Sequence, residues 1–389
     1  MIIGIDASNI RRGGGVTHLV EVLRAANPPA LGISQVIVWS GQATLDEVPD
    51  RPWLVKSHEL WLDKSLPFRV FWQRFRLSRL ARQAGCEVLF VPGGSYAGDF
   101  YPVVTASQNL LPFEWSELRR FGWSWLRLKL TLLRFVQART FRRADGVSFL
   151  TNHARDVVMG AIKTMPGKTA VIPHGIDDRF FCAPRAQLAI NRYSVERPFR
   201  ILYVSIIDMY KHQWHVAEAV AQLREAGWPV VLELIGPARP MAMKRLKKTL
   251  ARIDPAGEFV RCWGKLPYGE LHVRYRVADL CVFASSCETI SNILLEGMAA
   301  GLPTACSNCG PMTELLGDAG VYFDPENPRD IARAIRELVD SPQLRAELAM
   351  EAFKRAQIYS WARCAEETWE FLAQFAGEAG AKSLAVSKT

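Results

Sequence analysis

The sequence predicts an α/β protein with two doubly wound parallel-sheet (Rossmann-like) domains. Short apolar runs alternate with amphipathic helical stretches along most of the chain, the pattern of successive β-α-β units. The 389 residues, 49% hydrophobic and 22% charged, suit two domains of ordinary size with a core each. Charge also divides the chain. Residues 1–190 hold 24 Lys and Arg against 15 Asp and Glu, whereas residues 191–389 hold 24 of each. The surplus of +9 therefore lies in the first half, which is expected to present a basic surface to an anionic partner.

In the first half, residues 2–6 (IIGID) form an apolar strand, and Gly13, Gly14 and Gly15 precede a helix expected over 17–26. Strand, glycine-rich turn and helix open a doubly wound sheet, with the turn at its carboxyl edge. The glycines let backbone approach a ligand, although the spacing is neither G-x-G-x-x-G nor a P-loop and also suits a plain flexible turn. Further strands are expected at 36–40, 88–91 and 103–106, and another from Asp145.

Two segments combine arginine with aromatic residues. Residues 66–82 contain five arginines and no acid, interleaved with Phe68, Phe71, Trp72 and Phe75. Residues 115–143 carry Arg119, Arg120, Arg127, Lys129, Arg134, Arg139, Arg142 and Arg143. Both have helical period, with aromatics expected on one face and arginines on the other. Such helices suit an anionic membrane surface; the alternative is core helices with solvated basic faces. Basic helices also suit nucleic acid, but no nucleic-acid motif accompanies these, so no such partner is expected.

Residues 170–177 (AVIPHGID) close the first domain, and 178–198 read as a linker. Strands follow at 200–205, 230–236, 259–266, 279–285, 304–307 and 321–323, with helices at 243–252, 329–339, 342–356 and 362–375. Residues 377–389 read as a disordered tail. Met1 opens directly on a strand, so no leader is expected, and no apolar run is long enough to span a membrane. Eight scattered cysteines, with Cys306-x-x-Cys309 as an isolated pair, point to reduced thiols in a cytoplasm and not to a metal site.

The most informative stretch is 287–303, CETISNILLEGMAAGLP. Ser286 or Thr289 can cap the helix that starts there, Ile293, Leu294, Met298 and Ala299 supply its apolar face, and Gly301–Pro303 stop it. The unpaired N–H groups of a helix start suit a diphosphate. Glu288 before the helix and Glu296 on it could meet hydroxyls on either side of such a group. Otherwise both are ordinary surface charges.

Glu288 and Glu296 form an E-x7-E pair. Together with LYVSIIDMYKHQ and ADLCVFASSCETISNILLEGMAAGLPTACSNCGPMTELLGDAGVYFDP, it resembles the retaining glycosyltransferase family 4, densely from Phe199 to Trp361 and in outline before that. The resemblance implies the GT-B architecture, two domains facing a cleft. Residues 1–180, rejoined by a helix at about 362–376, would bind the acceptor, and 190–361 a nucleotide-diphosphate sugar. It implies retaining hexose transfer with neither metal nor cofactor.

In that scheme Glu288 positions the sugar and Glu296 the ribose. Lys211 and the backbone of Thr289, Ile290, Ser291 and Asn292 hold the diphosphate next to Ser205, and His212 could assist. Trp263 and Gly264 lie near the base, Gly14 and Gly15 face donor and acceptor, and Glu314 caps or packs near the site. The sequence departs from the family pattern twice. An arginine expected beside Ser205 and Ile206 is missing, and Gln108, followed by Asn109, stands where a histidine is common. Gln108 can orient hydroxyls but cannot act as acid or base.

A lipid-linked or glycan acceptor at the inner face of the cytoplasmic membrane, in lipopolysaccharide O-antigen or related assembly, is the expected setting. A GDP-linked, mannose-type donor is favoured. A soluble enzyme with a small-molecule acceptor and a non-catalytic nucleotide-sugar-binding homologue are the alternatives.

Overall fold

The structure, a computed structural model, describes residues 1–11 and 13–386, with side chains described as far as residue 376. Two compact units result. The first comprises residues 1–113, 123–175 and 360 onward; the second comprises 114–122 and 176–359.

The first unit is a seven-stranded parallel sheet in the order β3-β2-β1-β4-β5-β6-β7. In chain order come β1 (Ile2–Asp6), α1 (Gly14–Ala25), β2 (Gln35–Ser40), α2 (Gln42–Leu45), β3 (Leu54–His58), α3 (Leu66–Trp72), α4 (Ser78–Gln83), β4 (Val88–Val91) and β5 (Val103–Ser107). They continue with α5 (Trp115–Arg119), α6 (Trp125–Arg143), β6 (Gly146–Phe149), α7 (Asn152–Ile162) and β7 (Lys168–Val171). The edge strand β3 carries little apolar signal and was not foreseen; part of β7 was read as turn. Helix α1 starts at Gly14 instead of residue 17, so Gly14 and Gly15 form its first turn behind Gly13, whose φ of 72° suits glycine.

Both arginine-rich segments differ from expectation. Helices α3 and α4 are joined by a π turn over Gln73–Leu77. That extra residue keeps Trp72 and Leu77, five apart, on the buried side with Ala81. Phe68, Phe71 and Phe75 are instead exposed, with Phe71 stacked on Trp61 at 5.4 Å and Lys64 over Phe68 at 5.3 Å. The 115–143 stretch is two helices, broken at Gly122 (φ 55°), with Ser124 capping α6 through the Arg127 N–H. Helix α6 buries Leu130, Gln137, Ala138 and Phe141. Its outward face carries Trp125 (76% exposed), Leu128, Leu132 and Phe135 (67%) beside Lys129, Arg139 and Arg143. The aromatics thus share the solvent face with basic residues instead of facing the core, while Arg127 and Arg134 are half-buried. Both helical segments pack on residues 96–99, since Ser78 Oγ accepts the Asp99 N–H and Thr140 Oγ1 the Tyr96 N–H, each at 2.9 Å.

The second unit is a six-stranded parallel sheet in the order β10-β9-β8-β11-β12-β13. Its elements are β8 (Phe199–Val204), α8 (Gln213–Glu225), β9 (Val230–Ile235), α9 (Pro240–Ile253), β10 (Val260–Gly264), α10 (Tyr268–Val277) and β11 (Leu280–Phe283). There follow α11 (Asn292–Ala299), β12 (Thr304–Ser307), α12 (Met312–Leu316), β13 (Val321–Phe323), α13 (Pro328–Asp340) and α14 (Pro342–Ala356). The central strands are buried over their length except at the half-buried Arg200 of β8, as expected of a sheet covered on both faces. The short helix α5, encoded next to β5, belongs to this unit, which nothing in the sequence marked.

Helix α15 (Trp361–Val386) returns to the first unit. Trp369, Leu372 and Phe375 join the core of α1 and β1, each burying apolar surface that contributes roughly 1.5–3 kcal/mol. A Cβ on Gly146 would stand 2.6 Å from the Phe375 ring, so glycine is required for that packing. For the expected tail, side chains from 377 and everything from 387 lie outside the described residues.

Candidate active site

Strand order reverses between β1 and β4 in the first unit and between β8 and β11 in the second. In doubly wound sheets such reversals open a crevice at the carboxyl ends of the strands, where ligands bind. In the second unit the loops flanking the reversal are 205–212, after β8, and 284–291, after β11. They carry Lys211 and Glu288.

Lys211 is 4% exposed and forms an ion pair with Glu288, with its ammonium over the Phe283 ring at 5.1 Å and near Tyr210. Tyr203 fixes the loop by donating to the Lys211 carbonyl at 2.6 Å. Ser205 is buried, and among the described residues its Oγ has no hydrogen-bond partner. His212 adopts φ 51° and is fully buried, with Nε2 3.0 Å from Ser286 Oγ. Burial, then the nearby Arg120 charge, push its pKa down to about 3, so the ring stays neutral and adds no positive charge beside Lys211. Ser286 Oγ in turn donates to Glu117 at 2.9 Å, and Arg120 joins Glu117 to Glu326.

The helix after Glu288 is capped by Ser291, whose Oγ accepts the Leu294 N–H at 3.2 Å. Neither Ser286 nor Thr289 is the cap, because helical dihedrals begin only at Asn292. Thr289, Ile290 and Ser291 are buried, and Asn292 is half-buried at the helix start. Gly297 brings α11 close to β11, since a Cβ there would lie 2.9 Å from Cys281 Sγ.

Glu296 is not a surface charge: it is 5% exposed and accepts from Tyr275 at 3.1 Å and Tyr268 at 3.3 Å. Burial pushes its pKa up to about 8, opposed by the two tyrosine hydrogen bonds. Tyr268 and Tyr275 lie one above the other on α10 and both pack on Phe180. The sequence reading missed them, although a seven-residue spacing puts both on one helix face. Trp263 lies on the edge strand β10, 40% exposed under the Arg274 guanidinium at 3.9 Å, and Gly264 ends that strand at φ 67°. Helix α12 carries Glu314.

The first unit holds the remaining candidates. Gln108 Nε2 lies 2.9 Å from His18 Nδ1, and a Cβ on Gly15 would stand 3.5 Å from Gln108 Oε1. His18 is buried and stacks on His174 at 4.8 Å. Desolvation and that neighbour hold its pKa well below 6.5, so the neutral ring accepts from the Gln108 amide. The carbonyl of Gln108 is thereby turned toward the glycine-rich first turn. Asn109 is exposed, and its side chain accepts the Leu111 N–H at 3.3 Å. His18, one turn inside α1, went unnoticed in the sequence because its partner lies 90 residues away.

Each unit is a doubly wound, Rossmann-like parallel sheet with its crevice at the strand reversal. Residues 198–341 match the family model described as "Glycosyl transferases group 1". The chain is 30% identical over 250 residues to the D-inositol 3-phosphate glycosyltransferase of Kineococcus radiotolerans, covering 58% of this chain and 56% of that protein. It is 29% identical to the O-antigen chain mannosyltransferase B of Escherichia coli, over 28% of this chain and 29% of that one. The chain thus spans about half or less of these two relatives. Among solved structures, sucrose-phosphate synthase from Thermosynechococcus elongatus superposes with a TM-score of 0.74 at 18% identity, over 96% of this chain and 98% of that one. Anabaena HepE in complex with UDP-glucose superposes with a TM-score of 0.69 at 17% identity, over 96% and 100%. Residues 198–341 are thus similar to group 1 glycosyl transferases, and the likeness to the solved structures shows a GT-B-type fold of two Rossmann-like domains.

Proposed function

We propose that the chain transfers a hexose, with retention and without a metal, from a nucleotide-diphosphate sugar to a glycan or lipid-linked glycan. The largely buried Lys211–Glu288 pair at the sheet's switch point, with Glu288 three residues before the Ser291 cap of α11, carries this reading. Lys211 and the first N–H groups of α11 neutralise the diphosphate as the C1–O bond breaks and its electrons pass to phosphate oxygen. The acceptor hydroxyl forms the new bond to C1 and its proton goes to that leaving oxygen, so no side-chain base is needed. Glu288 orients the sugar, Glu296 the ribose, and Trp263 and Gly264 flank the base. Gln108, Asn109, Gly14 and Gly15 serve on the first unit. A GDP-linked, mannose-type donor is our choice; the O-antigen chain mannosyltransferase relative supports its mannose part.

The outward face of α6 and the aromatic cluster at Trp61, Phe68, Phe71 and Phe75 favour a lipid-linked acceptor at the cytoplasmic membrane's inner face. Among the described residues no helix is long and apolar enough to cross a membrane. Replacing Lys129, Arg139 and Arg143 by Glu is expected to lower partitioning onto anionic vesicles about a hundredfold or more at low salt. Unchanged partitioning would mean that the face serves something else. A small-molecule acceptor is the second reading, favoured by the inositol phosphate glycosyltransferase relative. Turnover of GDP- and UDP-hexoses with a bacterial lipid extract or with inositol phosphate separates the two. The anomeric coupling constant of the product tests retention; an inverted anomer contradicts the proposal.

A further inference from the structure

On the nucleotide-sugar reading, the site must hold two or more negative charges, yet Lys211 is already matched by Glu288. A further cation is needed where the diphosphate leaves. The sequence has no arginine beside Ser205 and Ile206. The neighbouring strand supplies one. Beyond β8 and β9 the ladder continues as a bridge between Ile207 and Ala238, and the Arg239 N–H donates to the Ile207 carbonyl at 3.0 Å. Arg239 Nε donates to Asp208 at 2.6 Å, and the Asp208 carbonyl accepts the Lys211 N–H at 3.1 Å. Arg239 and Lys211 are therefore held by the same residue.

Asp208 itself is buried, whereas the Arg239 side chain is half exposed. Among the described residues its Nη1 and Nη2 make no hydrogen bond. A guanidinium anchored through Nε keeps its Nη groups for a bidentate contact with phosphate. The Tyr210 hydroxyl, raised mainly by burial, also feels Glu288, Asp208 and Arg239 together, which places the three charges in one neighbourhood.

We propose that Arg239 is the second cation of the diphosphate subsite, delivered from the end of β9 and aimed by Asp208. Calorimetry on the full chain tests this with two variants and two probes, the nucleoside diphosphate that wild type binds tightest and the corresponding nucleoside. Arg239→Gln is expected to weaken the diphosphate about tenfold or more and leave the nucleoside unchanged. Asp208→Asn, which keeps the cation and removes its buried counter-charge, is expected to bind the diphosphate as tightly as wild type or tighter. Equal losses in both variants would reveal a structural ion pair and overturn the assignment, as would unchanged diphosphate affinity in Arg239→Gln. Silence of the wild type toward every diphosphate would overturn the nucleotide reading itself, and Arg239 with it.

Discussion

Replacing Lys211 by methionine is expected to lower turnover about a hundredfold or more while weakening donor binding far less. The ammonium lies over the Tyr210 and Phe283 rings, 5.2 and 5.1 Å from their centroids. On the proposed reading its charge matters most when negative charge builds on the diphosphate, so the loss is expected to fall on the chemical step. The same substitution strands Glu288 as an unpaired, largely buried carboxylate and is expected to destabilise the fold by about 3–5 kcal/mol. The double variant Lys211→Met, Glu288→Gln separates the effects: thermal stability recovers and turnover does not. Equal losses in turnover and donor affinity would contradict the leaving-group role.

The second large effect concerns Glu296 and has a definite sign. Its carboxyl titrates near 8 in the fold against about 4.5 when unfolded. A raised carboxyl stabilises fully below the unfolded value, and that stabilisation is lost as pH rises toward the folded one. Wild type is therefore expected to lose stability between about pH 5 and pH 8, by up to several kcal/mol, relative to Glu296→Gln. On the proposed reading, ribose hydroxyls donating to Glu296 would favour its ionised form, so donor binding is expected to release a proton and to tighten by up to tenfold per pH unit from about 6 to 8. Glu296→Gln should bind more weakly and flatten this profile relative to wild type. An identical pH profile in both proteins would remove Glu296 from the ribose.

Much of this was legible in the residues. Apolar strands at 200–205, 230–236 and 279–285 announced themselves because a sheet covered on both faces has no polar alternation to disguise it. The E-x7-E spacing pointed at Glu288 and Glu296. Partners distant in sequence were not legible. Tyr268 and Tyr275 hold Glu296 from 28 and 21 residues away, and His18 meets Gln108 across 90. The outward turn of the α6 aromatics was hidden too, because helical period fixes which residues share a face but not which face meets the sheet. A buried Leu130–Gln137–Phe141 stripe of mixed polarity decided it.

The measurement closest to the central claim is calorimetric binding of GDP, UDP, ADP and dTDP, with and without their sugars and without metal, to wild type and to Glu296→Gln. One diphosphate family bound tightly by wild type and weakened by the substitution is the result expected, with GDP the favoured base. Silence across the whole panel, or affinity indifferent to Glu296, would contradict a nucleotide-sugar site at the carboxyl ends of β8 and β11.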